Sequence, residues 1–249
     1  MEGIIVKMFE ELELKNCILI EGLPGVGNVG KIAAEYLSEK VKAKKLGEIY
    51  SRNLPPQVLI NEDGTIKMVK NEIFYKKGKQ DILILTGDYQ ALSSSGQYDL
   101  SYKILEIAKK CGVKRIYTLG GYGTGKLIDE PRVLGAATNQ ELVEEMKKYN
   151  VTFSKTEPGG GIVGASGLLL GLGSQLFDID GVCLMGETSG YFSDPKGAQE
   201  LLKVLTKILN IKLDFSDLEE KAKKIEELAS QIKEDTSKNE KKEYLGYFG

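Results

Sequence analysis

The 249-residue chain contains no histidine. That absence removes Ser-His-Asp and Cys-His nucleophilic centres, imidazole acid–base chemistry and every zinc or iron site that relies on a histidine ligand. Any catalysis would rest on carboxylates, lysine, cysteine, tyrosine or backbone dipoles. Cysteine is scarce: Cys17, Cys111 and Cys183 are far apart, and two of them lie inside apolar runs that read as buried strands. Such spacing builds neither a disulfide framework nor a metal knuckle, so core thiols in a reducing, cytoplasmic setting are expected, without metal or cofactor. A surplus of one charge sign is also lacking. Lys and Arg number 34 against 36 Asp and Glu, a net charge of −2, which offers no electrostatic footprint for nucleic acid. No basic-then-apolar leader opens the chain, and secretion is not indicated. The apolar stretch from Ile162 to Phe177 is interrupted by Ser166, Ser174 and Gln175. At roughly 16 residues it is too short to span a bilayer, and its glycines suit a buried helix packed closely on a sheet; no membrane association is expected.

What is present is enough apolar sequence, 41% of residues, for one sizeable core. The β-rich run Asn16 to Glu21 passes through Gly22 to Gly30 into a helical pattern over Lys31 to Lys40. Further strand-like runs follow at 81–86, 115–119 and 181–185, with helical segments at about 98–111, 139–149 and 195–209. Apolar strands alternating with helices predict an α/β domain with a parallel or mixed sheet covered on both faces. Between residues 57 and 75 the rhythm breaks: Asn61-Glu62-Asp63-Gly64 separates two short alternating runs, predicting a hairpin inserted between the first and second main strands.

Residues 22–31, Gly-Leu-Pro-Gly-Val-Gly-Asn-Val-Gly-Lys, match two phosphate-binding patterns incompletely. Gly25, Gly27 and Gly30 have the dinucleotide spacing after a strand and before a helix, yet only Glu48 is near the place of the ribose-binding acid. The nucleoside-triphosphate loop fails at Ile32, where magnesium requires Ser or Thr. A tight turn that seats the helix on the sheet, or brings backbone close to another chain, accounts for the same glycines. Other glycine clusters follow the later strands: Gly120, Gly121, Gly123 and Gly125, then Gly159 to Gly161, then Gly186 to Gly190. Loops of this kind at strand ends can enclose a ligand crevice, here lined by Gly25, Gly27, Gly30, Gly121, Gly123 and Glu157, with Asp88 and Glu187 as further acids. They also occur without binding anything. Ser93 to Ser95 have no base to activate a nucleophile and read as a cap for the helix beginning near Gln97.

The C-terminal residues read as an appendage. Leu218, Ala222, Ile225, Ala229 and Ile232 recur at spacings of four and three, a narrow seam on an otherwise Lys- and Glu-rich helix. A polar stretch, 235–242, then leads to Tyr244, Leu245, Gly246, Tyr247, Phe248 and Gly249. An aromatic end on a polar tether suits a pocket on another protein; folding back onto the chain's own core or a sister subunit is the alternative. The division expected is therefore a core over 1–212, a helix over 213–234 and a flexible, aromatic-tipped tail over 235–249.

The opening Gly22-Leu-Pro-Gly25-Val-Gly27-Asn28-Val-Gly30, the Thr86-Gly87-Asp88 strand end, the Leu119-Gly120-Gly121 cluster and the Gly161-Ile-Val-Gly164 helix entry resemble, in that order, archaeal members of the proteasome assembly chaperone (PAC2-like) family. The resemblance runs from the N-terminus to about residue 210. It implies a purine-nucleoside-phosphorylase-like α/β fold, no established catalytic reaction, homo-oligomerisation through the core, and in some members a C-terminal tail that docks on the proteasome α-ring. Docking members end in a hydrophobic residue, tyrosine and any residue. The matching positions here are Tyr247, Phe248 and Gly249, with Tyr244 and Leu245 as secondary contacts, so the penultimate hydroxyl is missing. One lost hydrogen bond is worth about 0.5 to 1.5 kcal/mol, or roughly threefold to tenfold in affinity per tail, which several tails on one oligomer would recover. A non-enzymatic assembly chaperone or adaptor of proteasome α-subunits is the expectation; a nucleoside- or phosphate-binding protein using the glycine-lined crevice is the alternative.

Overall fold

A computed structural model describes residues 3–154 and 160–225. Among these residues the main sheet has eight strands: β1 (Ile4–Met8), β2 (Cys17–Glu21), β3 (Lys44–Ser51), β6 (Asn71–Lys76), β7 (Ile82–Gly87), β8 (Val113–Gly123), β9 (Val133–Ala137) and β10 (Asp180–Thr188), in the spatial order β1-β3-β6-β7-β2-β8-β10-β9. The four central strands, β7, β2, β8 and β10, run parallel. Strands β6, β3, β1 and β9 continue the sheet antiparallel at its two sides.

The central strands are nearly continuous apolar runs because helices cover both of their faces. Alternation within each run assigns the faces. Ile18, Ile20, Ile84, Leu119, Val182 and Leu184 pack under α1 (Val29–Lys40), α3 (Gln140–Lys147) and α5 (Pro195–Leu209). On the other face, Leu19, Leu83, Leu85, Ile116 and Cys183 pack under α2 (Ser94–Lys110) and α4 (Ala165–Leu176). All three cysteines are free and buried, and burial pushes the Cys17 and Cys183 thiols up to about 12, so they serve as apolar filling.

Helix starts follow local side-chain chemistry. Ser93 Oγ accepts from the Gly96 amide at 3.1 Å, so α2 begins at Ser94, three residues before the position expected from the pattern. Asn139 caps α3 through the Leu142 amide, and Asp194 caps α5 through the Gly197 amide with Pro195 as its first residue.

The expected insertion between residues 57 and 75 divides. The turn at Asn61 to Gly64 closes a two-stranded ribbon, β4 (Val58–Ile60) with β5 (Ile66–Met68), separate from the main sheet, whereas β6 beyond it enters that sheet between β3 and β7. Helix α4 is twelve residues long and seats Ala165, Leu169, Leu170 and Gly173 on the core, while Leu176 on its outer side is exposed. No described helix is long and apolar enough to cross a membrane.

Candidate functional site

The C-terminal ends of β2, β7, β8 and β10 lie at one edge of the parallel sheet, and β2 sits where the strand order reverses. Open α/β sheets bind ligands at such a place. Here the glycines gather, but protein atoms fill the space that their missing side chains leave. A Cβ on Gly30 would lie 2.0 Å from the Leu119 carbonyl oxygen, one on Gly121 2.1 Å from the Val26 carbonyl oxygen, and one on Gly22 2.2 Å from the Gly30 carbonyl oxygen. Gly27 has φ of 59° and abuts Thr188; Gly123 approaches Val26; Gly25, by contrast, faces open space. The structure thus brings Gly27, Gly30, Gly121 and Gly123 together as the surfaces on which α1, β8 and β10 close. The Asp194 amide donates to the Gly27 carbonyl at 2.8 Å and ties the turn to the start of α5.

The charged residues near this edge hold protein to protein. Lys31 Nζ donates to the Gly87 carbonyl at 2.6 Å and pairs with Glu35 one helical turn on. Glu48 lies on β3, three strands from β2, which separates it from the turn. Burial there opposes ionisation, but Lys70, Tyr50 and Lys45 outweigh it and hold the carboxyl down at about 2. Asp88 accepts from the Lys70 amide at 3.1 Å and pairs with Lys67, joining β7 to the start of β6 and to the ribbon. Glu187 grips Arg132 through the amide and guanidinium; those hydrogen bonds keep its carboxyl below the usual range and pin the β8–β9 loop. Glu157 lies outside the described residues. No group of three or more potential metal-ligating side chains occurs among the described residues.

One buried acid is not among the residues singled out from the sequence. Glu21, the last residue of β2, accepts from the Leu23 amide and from Ser166 Oγ on α4, each at 3.0 Å, with no cation among its partners. Desolvation outweighs both bonds and raises the carboxyl to about 7. The signal available was a lone Glu closing a wholly apolar strand.

The helix that follows α5 starts at the far end of α1, beside Lys40, and runs back toward this edge, where Ile225 lies near Ser193 and Pro195. Residues 216–225 are helical, and their base is fixed to α1 and α5. Tyr36 Oη donates to the Asp214 carbonyl at 2.5 Å, its ring stacks on Phe215, Lys40 pairs with Asp217, and Gln199 Nε2 donates to Glu219 at 2.9 Å. Leu218 and Ala222 are buried, so the first half of the seam is used against the chain's own core. Ile225 reaches a cavity of about 230 Å³ that it shares with Leu127, Phe192 and Pro195. Ala229, Ile232 and the terminal residues Tyr244, Leu245, Tyr247, Phe248 and Gly249 lie outside the described residues.

The model of the PAC2 family matches residues 19–233, almost the whole of the chain. The chain belongs to the PAC2 family. It is 42% identical over 234 residues to the uncharacterized protein MJ1210 of Methanocaldococcus jannaschii, covering 94% of this chain and 90% of that one. Among solved structures, the archaeal proteasome activator PbaB of Pyrococcus furiosus superposes with a TM-score of 0.88 at 38% identity, over 94% of this chain and all of that one. Pyrococcus furiosus PbaA, an archaeal homolog of proteasome-assembly chaperone, superposes at 0.78 with 29% identity, over 99% of this PAC2 chain and 98% of its own.

Proposed function

We propose that this PAC2-family chain is a non-enzymatic, homo-oligomeric assembly chaperone or adaptor of the archaeal proteasome. In this reading the α/β core, of the purine-nucleoside-phosphorylase-like kind, is a scaffold. The C-terminal segment engages the proteasome α-subunits or α-ring, with Tyr247, Phe248 and the Gly249 carboxylate as main contacts and Tyr244 and Leu245 beside them. The observation that carries it is the likeness to PbaB, a proteasome activator, over 94% of this chain at 38% identity. The base of the helix, held on α1 by Tyr36 and Lys40, supports a scaffold that presents its C-terminal end.

The test is binding to an isolated archaeal α-ring by the intact chain and by a version ending at residue 246, with the mass of both oligomers measured alongside. Loss of binding at unchanged mass is expected; undiminished binding by the shortened chain would remove the tail from the reading. Phe248→Tyr restores the missing hydroxyl and is expected to tighten each tail by roughly threefold to tenfold. An affinity that falls with Phe248→Tyr, read by titration calorimetry on the α-ring, would place Phe248 outside a tyrosine-selective pocket.

A further inference from the structure

The main sheet ends differently on its two sides. Beyond β9, the Thr152 carbonyl accepts from the Gly135 amide at 2.9 Å and the Thr152 amide donates to the Val133 carbonyl at 2.8 Å, so that edge is occupied. Beyond β1, nothing among the described residues pairs with the strand. Its register shows which groups are left over. The Phe9 amide donates to the Leu46 carbonyl and the Arg52 amide to the Gly3 carbonyl, so the odd-numbered residues are the ones that exchange bonds with β3. The amides and carbonyls of Ile4, Val6 and Met8 therefore point away from the sheet as a row of free donors and acceptors. Edge strands are ordinarily blunted by proline, a bulge or a charge. Strand β1, Ile-Ile-Val-Lys-Met, has no proline and pairs with β3 without a bulge. Its one charge, Lys7, lies over the Phe9 ring at 5.3 Å, on the face opposite to Ile4 and Val6.

Beside this edge runs a groove of about 460 Å³, lined by Val6 and Met8 from the strand and by Ile107 and Cys111 from the end of α2. Residues that exchange backbone bonds across an antiparallel pair put their side chains on the same face. A strand bonded to Ile4, Val6 and Met8 would therefore drop every second side chain into the groove. We infer that the outer edge of β1 takes up an extended segment of another protein as an added strand, bonded through Ile4, Val6 and Met8, with alternate apolar side chains in the groove beside α2. The row of free backbone groups selects an extended chain, and the apolar floor selects its alternate residues, which is how peptides are recognised by addition to a sheet. The groove's volume lies in the range of pockets that enclose small ligands, so it suits the few side chains of a single segment and not the wall of a second folded core.

The test uses the full chain and, as probe, a capped peptide of about nine residues that alternates valine with threonine between terminal lysines. Saturating probe is expected to slow hydrogen exchange of the Ile4, Val6 and Met8 amides at least about tenfold, while Ile5 and Lys7, already bonded to β3, exchange as before. Val6→Pro removes the central outward amide and no bond to β3, so the sheet is retained and probe affinity, read by fluorescence anisotropy, is expected to fall at least about tenfold. Val6→Ala shortens the same side chain but keeps the amide, and is expected to bind within about threefold of the wild type. Equal affinity of the two variants, unchanged exchange at β1 with probe present, or no binding at about 1 mM probe would each overturn the inference. So would slow exchange of the Ile4, Val6 and Met8 amides in the probe-free protein, because another copy would then already occupy the edge. The exchange readout needs no variant, and none of these measurements involves the α-ring, so failure of tail docking is registered separately.

Discussion

Gly30→Ala is expected to destabilise the fold by about 3 kcal/mol and lower the melting midpoint by roughly 6–12 °C, whereas Gly25→Ala changes stability by no more than about 0.5 kcal/mol. The difference follows from what each new methyl meets. At Gly30 it would stand 2.0 Å from the Leu119 carbonyl oxygen, which belongs to the centre of the sheet and cannot turn aside. Helix α1 would have to lift off β8, and Val29, Ala33 and Leu37 would lose part of their burial with it. Gly25 is extended, with φ of −159°, and a methyl added there would have no neighbouring atom within 4 Å. Denaturant unfolding of the two variants reads this directly. Equal losses for both would mean that the turn is not held by close approach of α1 to β8.

Glu21→Gln is the second large expectation, and its sign depends on pH. The carboxyl is fully buried at about 7, against 4.5 for the ordinary group. Between those values the folded chain retains a proton that the unfolded chain releases, so the wild type loses stability as pH rises from about 4.5 to about 7 and stays at the lower level above. The residues that face it are neutral: Ser166 on α4, and Thr118 and Cys183 in the same row across β8 and β10. Glutamine keeps the acceptor for the Leu23 amide, offers a donor to Ser166 and removes the charge. At pH 8 the variant is therefore expected to be more stable by up to about 3 kcal/mol, or roughly 6–12 °C, and the gain should vanish near pH 4. Thermal unfolding across that range checks it; parallel curves for wild type and variant would show that Glu21 ionises without cost.

The elements that the sequence displayed best are those whose pattern is set locally. The strand, turn and helix over residues 16–40, the α5 boundaries and the serine cap of α2 are governed by neighbours within four residues. Strands β1 and β3 were not legible because pairing across the sheet, rather than an apolar pattern, makes them strands, while β9, Val133–Ala137, is a short edge strand of small and apolar residues without alternation. Lys44-Lys45-Leu46-Gly47-Glu48 looks polar until Glu48, Lys45, Lys70 and Glu72 are seen to pair across β3 and β6. The glycine-rich turn was legible as a turn, and its two meanings divide only in three dimensions, where the Leu119 and Val26 carbonyls occupy the space a phosphate pattern would leave open. The seam of the C-terminal helix was visible as a periodicity, but its partner was not. Leu218 and Ala222 meet α1 and α5, which lie far away in sequence. Glu21 was hidden for the converse reason, since a single acid at the end of an apolar run carries no pattern.

A role at the proteasome is tested most directly by sedimenting the intact oligomer with an isolated archaeal α-ring. The two are expected to migrate together as one species. Separate sedimentation at concentrations well above those expected for multivalent tails would contradict that role.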